Sequence, residues 1–102
     1  MIDTGFAQLA RLERTGALRL LVALLDGPLF ISQLIKRHDN LGIASQPAIE
    51  KTRTVLVELG LSEEYEKYME LTQKTRLYLR LTKKGRVVAK SLRRVAQSLA
   101  ES

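Results

Sequence analysis

The chain has no cysteine, two prolines, six scattered glycines and one histidine, and each shortage removes a class of chemistry. Without cysteine there are neither disulfides nor thiolate metal sites. The single histidine, His38, stands beside Asp39 near an expected helix end. It reads as a polar end residue or cap rather than as a base or ligand. With the glycines dispersed, no glycine-rich phosphate loop is present. No apolar run approaches the ~20 residues of a membrane-spanning helix. The densest, ALRLLVALL at 17–25, is broken by Arg19 and closed by Asp26-Gly27-Pro28. The amino terminus lacks the basic start and small-residue cleavage site of a signal peptide. An intracellular, cytoplasmic protein is expected, with no metal or other cofactor and little to support catalysis. Low asparagine, no cysteine and abundant charge are compatible with a thermophilic, for instance archaeal, source. No repeat, low-complexity tract or Pro/Gly/Ser linker divides the sequence, so one domain over 1–102 is expected.

What is present is an ordinary globular composition with an uneven charge. The 102 residues are 45% apolar and 27% charged, enough for one modest core. The net charge of +6 comes from one segment, the remainder of the chain being net negative. Residues 72–100 carry Lys74, Arg76, Arg80, Lys83, Lys84, Arg86, Lys90, Arg93 and Arg94 and no acidic residue. Such an asymmetry fits a face meant for a polyanion, or a face kept soluble by its charge.

Apolar spacing gives a short amphipathic helix at 3–13, with Phe6, Leu9, Ala10 and Leu12 on one side. Thr15 can cap a second helix, 16–26, apolar nearly all round and so central to the core. Leu29-Phe30-Ile31 is too short for more than a small edge strand. Ser32 is expected to cap a helix to about His38 with Leu34 and Ile35 inward, before turn chemistry at 39–44 in which Ile43 plugs the core. A further helix, 46–59, has Ser45 as its capping hydroxyl, Pro47 in its first turn and Gly60 at its end. On a helical wheel Ile49, Thr52, Leu56 and Leu59 form its core face. Its opposite side holds Pro47, Glu50, Lys51, Thr54 and Glu58, with Gln46 and Arg53 at an edge.

Residues 61–82, LSEEYEKYMELTQKTRLYLRLT, could begin a helix at Ser62-Glu63-Glu64, but pairing favours a hairpin. With Thr72-Gln73-Lys74 as the loop, Glu70 faces Arg76, Tyr68 faces Tyr78 and Glu66 faces Arg80 on one side. On the other, Met69 faces Leu77 and Tyr65 faces Leu81, giving a mainly apolar inner face. A five-residue loop is the alternative, because no Gly or Asn is available for a tight turn. Pairing with arginines accounts for Glu63, Glu64, Glu66 and Glu70 better than a metal site does. Thr82 then caps a last helix to about Leu99. Its heptad-like seam of Val88, Leu92, Val95 and Leu99 fits either the domain's own core or, with Phe6 and Leu9, a dimer contact.

The expected fold class is mainly α with a small β-hairpin (α+β): a helix–turn–helix, a β-ribbon, and extra amino- and carboxy-terminal helices. LLDGPLFISQL (24–34), LVELGL (56–61) and RLYLRLTKKGRVVA (76–89) resemble the winged-helix transcriptional regulators of the MarR, PadR, HxlR and ArsR type. The resemblance covers most of 16–90. It rests on Leu56, Gly60 and Leu61, then on Leu81, Thr82 and Gly85. It implies a winged helix with core 15–82, a dimeric habit and sequence-specific binding of double-stranded DNA. Residues 46–59 become the recognition helix and 72–76 the wing tip. The 39–44 turn is longer than the shortest helix–turn–helix link, which leaves the angle between those helices open.

The residues can be weighed for that role directly. In the major groove Gln46 suits adenine, Lys51 guanine and Glu50 a cytosine amino group, while the Thr54 methyl can meet thymine. The helix start with Ser45 can hold a phosphate, and Arg53 at the helix edge is counted with Gln46, Glu50, Lys51 and Thr54 among the expected DNA contacts. At the wing, Gln73, Lys74, Thr75 and Arg76 supply phosphate-directed donors, with Arg76 alternatively spent on Glu70. Lys83 and Lys84 extend the basic track, and Arg80 is structural. Two other classes stay open. One is a winged-helix protein–protein module in a transcription or replication assembly, favoured by Val55 and Val57 beside the polar face. The other is membrane-surface binding through 83–99, disfavoured because that helix has no Trp or Phe on its apolar stripe.

Overall fold

The core is built on leucines that recur at helical spacing in the first third of the chain. The computed structural model describes residues 4–36 and 46–101. Helix α1 spans Thr4–Thr15 and α2 spans Ala17–Ala23, followed by one 3₁₀ turn at Leu24–Asp26. Between the helices Gly16 sits at φ 74°, a left-handed conformation that costs glycine no Cβ clash. The expected cap at Thr15 is therefore corrected: Thr15 closes α1 and Gly16 holds the cap position. As expected, α2 is central, burying Ala17, Leu20 and Leu21 with Leu24 just beyond.

Strand β1 is Leu29–Phe30, and α3, Ile31–Lys36, follows at once. Ser32 lies inside α3 rather than capping it. The free N–H of Phe30 instead donates to Gln33 Oε1 at 3.0 Å, satisfying one donor at the helix start. Leu34 is buried as expected. His38, the 39–44 turn with Ile43, the cap Ser45, and the side chains of Ile35 and Gln46 lie outside the described residues.

Helix α4, Gln46–Glu58, buries Ile49, Thr52 and Leu56, with Leu59 beside them, so the wheel's core face is correct. The Thr52 hydroxyl is satisfied by donating to the Ala48 carbonyl at 2.7 Å. The helix ends in a Schellman motif. Gly60 turns left-handed at φ 72°, the Leu61 N–H reaches the Leu56 carbonyl at 2.9 Å, and the Gly60 N–H reaches Val57 at 3.0 Å.

Strands β2, Ser62–Met69, and β3, Lys74–Leu81, form a hairpin. With β1 they make an antiparallel sheet in the order β1-β3-β2. The register differs from the one expected. Tyr65 pairs with Tyr78, Glu63 with Arg80 and Met69 with Lys74. The strand β2 is thus offset by an odd number of residues, which turns each of its side chains to the other face. On β3 the faces are as expected, with Leu79 and Leu81 buried against the helices. The turn is 70–73, with Gln73 at φ 53°, so the expected tip at 72–76 is corrected too.

The register is set at the base of the hairpin. The Thr82 N–H donates to the Leu61 carbonyl at 3.0 Å, continuing the ladder past its last paired residues. The Thr82 hydroxyl donates to the Gly60 carbonyl at 2.6 Å and accepts from the Gly85 N–H at 3.0 Å, capping α5, Lys83–Ala100. Lys84 Nζ reaches the Leu59 carbonyl at 3.2 Å. Three successive carbonyls at the end of α4 are thereby satisfied by the start of α5. Gly85 is buried so closely there that a Cβ would lie 1.7 Å from the Leu61 oxygen. Since that oxygen is backbone, Gly85→Ala is expected to cost at least about 3 kcal/mol, the upper end of overpacking penalties. Thr82→Val, which removes a cap, is expected to cost about 1–2 kcal/mol. Thermal unfolding followed by circular dichroism measures both, and an unchanged melting temperature for Gly85→Ala would contradict the packing described.

Candidate nucleic-acid interface

The exposed side of α4 carries Pro47, Glu50, Lys51, Thr54 and Glu58, the residues the wheel places there. Most of its charge is internally engaged. Arg53 Nη1 donates to both Glu50 oxygens at 2.8 and 3.0 Å. Its Nη2 donates to both Glu64 oxygens on β2, at 3.1 and 2.9 Å. With its side chain only 13% exposed, Arg53 is folded against the wing strand rather than projecting outward. Glu58 pairs with Arg11 of α1. The Thr54 hydroxyl donates to the Glu50 carbonyl at 2.9 Å. Lys51 therefore stands on this face as an exposed cation between two ion-paired carboxylates, Glu50 and Glu58. Val57 is 42% exposed and Val55 half-buried, too little apolar surface to form a patch.

The wing has two unlike faces, and the register creates them. On the face away from the helices, Phe30, Tyr78 and Tyr65 form a cross-strand aromatic ladder, with centroids 4.1 and 5.2 Å apart. Cations lie over each ring: Arg76 over Phe30 at 5.2 Å, Lys67 over Tyr78 at 5.9 Å and Arg80 over Tyr65 at 4.3 Å. Arg80 Nε also bonds Glu63 at 2.7 Å, so its structural role holds but its partner is Glu63, not Glu66. Arg76 stacks on Phe30 instead of reaching Glu70. Lys74 extends this basic face toward the turn, opposite Met69. The other face bears Glu64, Glu66 and Tyr68 beyond the buried Ser62.

Thr75 therefore lies on the acidic face, and Gln73 within the turn beside Glu70 and a fully exposed Leu71. Lys67 was missed from sequence because the other register turns it to the core side. Counting from the Leu61–Thr82 contact instead of from the loop finds it. Lys83 is exposed, but Lys84 is bound to the end of α4, where a cation suits the helix carbonyls.

At the far end, the seam of α5 divides. Val88, Leu92 and the buried Ala89 pack on the core, while Val95 and Leu99 are 56% and 73% exposed. These two line an open apolar groove with Leu18, Val22 and Ala23. Phe6 and Leu9 are exposed on α1, beside a second groove bounded by Leu59, Leu61 and Val88. Among the described residues no helix is long and apolar enough to cross a membrane, and no group of three or more His, Cys, Asp or Glu is placed to hold a metal.

No protein-family model and no curated protein sequence matches the chain. Solved structures do. The transcriptional repressor BigR from Xylella fastidiosa superposes with a TM-score of 0.66 at 22% identity, over 91% of this chain and 83% of that one. A PadR-like transcription factor from Bacteroides fragilis gives 0.64 at 19% identity, over 97% and 94%. A PadR family transcriptional regulator from Eggerthella lenta gives 0.61 at 21% identity, over 97% and 88%. The chain thus has the winged-helix fold of such regulators. Within that fold α4 holds the place of the second helix of the helix–turn–helix, and β2–β3 form the wing.

The ladder gives a direct check on the wing. A double-mutant cycle between Tyr65 and Tyr78 is expected to show a coupling of about 0.5–1.5 kcal/mol. The same cycle between Tyr68 and Tyr78, partners in the other register, is expected to show none within error in chemical denaturation.

Proposed function

We propose that this protein is a homodimeric, sequence-specific DNA-binding transcriptional regulator rather than an enzyme. The observation that carries the reading is the outer face of the wing. There Lys67, Lys74, Arg76 and Arg80 meet a single carboxylate, Glu63, while α4, which borders the other face of the wing through Arg53 and Glu64, keeps a polar and exposed outer side. Aromatic backing holds three of those cations in place, which lowers the entropy lost when they meet phosphates. In this reading α4 enters the major groove with Gln46, Glu50, Lys51 and Thr54 toward base edges, and Ser45 and the helix start near a phosphate. Lys67, Lys74 and Arg76, with Gln73 and Thr75 at the turn, contact the neighbouring backbone, and Lys83 extends the track. Arg53 is engaged with the wing strand and the exposed Lys84 with the Leu59 carbonyl, so both act through the protein. That neighbours of the same fold are transcriptional regulators supports this choice over a protein-binding module.

The exposed apolar surface of Phe6, Leu9, Val95 and Leu99 supports pairing of two copies through the terminal helices, with Val88 and Leu92 at the inner end of the seam. Two α4 helices would then read half-sites about 34 Å apart, one turn of DNA. With about 6–10 phosphate contacts per dimer, affinity is expected to fall roughly 10³–10⁵-fold between 50 and 200 mM salt.

Fluorescence anisotropy with random duplex at several salt concentrations tests the reading, and absence of binding at low salt would end it. Lys74→Ala and Lys67→Ala are expected to weaken binding to every duplex alike and reduce the salt slope by about one each. Lys51→Ala is expected to change sequence preference instead. For the dimer, light scattering of Val95→Asp/Leu99→Asp is expected to give a monomer of unchanged helix content, because both residues lie at the exposed end of α5. A wild-type protein already monomeric at high concentration would remove the dimer.

A further inference from the structure

Among the described residues, the Glu50–Arg53–Glu64 cluster ties the exposed face of α4 to the wing strand. Its geometry is specific. A single guanidinium uses one terminal nitrogen for each carboxylate, and each nitrogen reaches both oxygens of its partner at 2.8–3.1 Å. Arg53 is largely covered, Glu64 partly covered at 29%, and Glu50 outermost at 60%. The cluster carries one net negative charge, and its exposed member offers only acceptor oxygens. An acceptor held near DNA is repelled by phosphate and finds its match on a base edge. In the major groove the exocyclic amino group of cytosine presents such a donor. Glu50 stands one turn from the start of α4, in the half of a groove-reading helix that meets base edges.

From this geometry, and resting on the DNA-binding reading above, we infer that Glu50 is a base-discriminating residue of α4 with a position of its own in the site. It accepts a hydrogen bond from a cytosine amino group, and Arg53 and Glu64 are positioning residues that fix its carboxylate from the wing strand. A glutamate on an exposed helix face samples several rotamers, and one that must find its place at each encounter discriminates weakly. Anchoring both oxygens removes that freedom before DNA arrives. The brace also makes base selection depend on where β2 sits. Arg53 then serves recognition without touching DNA. A lysine cannot replace it, because one ammonium does not span two carboxylates as a guanidinium fork does.

Selection of duplexes from a randomised pool, followed by anisotropy titrations of single-base variants of the selected site, tests this. The wild type is expected to select a cytosine in each half-site. Glu50→Gln is expected to lose discrimination at that position by roughly five- to hundredfold, the range for a specific side chain–base contact. Arg53→Lys and Glu64→Gln are expected to lose discrimination at the same position and at no other. A merely structural defect would instead weaken every position together. If Glu50→Gln selects the wild-type site unchanged while the wild type binds DNA, the assignment to Glu50 is overturned and the DNA-binding reading stands. If Glu50→Gln alters the site but Arg53→Lys and Glu64→Gln do not, the brace is overturned. A wild type that binds no duplex overturns both this inference and the function it rests on.

Discussion

The carbonyl of Leu61 is the contact on which the rest of this structure depends. It lies where α4 has just ended in a left-handed glycine, and it takes the Thr82 N–H on one side and the bare Cα of Gly85 on the other. No residue larger than glycine fits at 85, and no helix end without a Schellman turn would deliver the carbonyl there. The Thr82 hydroxyl and the Lys84 ammonium bind the two preceding carbonyls in the same step. Backbone groups that a helix end normally leaves to water are paired within the protein, which makes the junction both stable and intolerant of displacement. The two short patterns that carry the resemblance, Leu56-to-Leu61 and Leu81-to-Gly85, are the two halves of this joint.

From the joint the wing inherits its register, and from the register its two faces. With Leu61 set beside Thr82, the ladder runs outward to Met69 opposite Lys74, and the turn falls at 70–73. The left-handed Gln73 is then tolerated at a position where glycine or asparagine would be less strained. The result is an aromatic ladder through all three strands with cations laid over its rings, and an acidic edge on the opposite face. A slip of one residue would interchange the faces of β2. The basic face of the wing therefore exists because a glycine and a threonine fit together at its base.

The same register brings Glu64 within reach of Arg53. Charge on the exposed helix is thereby arranged as ion pairs around Lys51, while cations outnumber carboxylates on the outer face of the wing. That division suits a protein in which one element selects among bases and another supplies sequence-independent attraction to phosphate. It also gives α5 a double task. Its first turn closes the joint, its middle covers the core through Val88, Ala89 and Leu92, and its last turns present Val95 and Leu99 to solvent.

Much of the fold was legible in the order of residues. Helical spacing gave the core face of α4 and the central α2, since a period that buries one stripe admits few alternatives. Gly60 and Thr82 marked their own roles, as a left-handed helix stop and a capping hydroxyl, whereas Gly85 entered only as part of the resemblance and its close packing on Leu61 came from the structure. The faces of β3 followed from strict alternation of leucines with polar and aromatic residues. What sequence could not settle were quantities fixed by partners distant along the chain. Strand β2 alternates without a clean apolar set, so charge pairing favoured a register the fold does not use; the observed one sets Lys67 opposite Arg76, and the joint at Leu61 decides it. Lys67 was hidden by that ambiguity. Arg53, Lys84 and Arg76 looked alike as cations, yet tertiary contacts gave each its own place: Arg53 on Glu64, Lys84 on the Leu59 carbonyl and Arg76 over the Phe30 ring of the outer face. A long cationic side chain reaches many neighbours, and only the packed structure decides which one holds it.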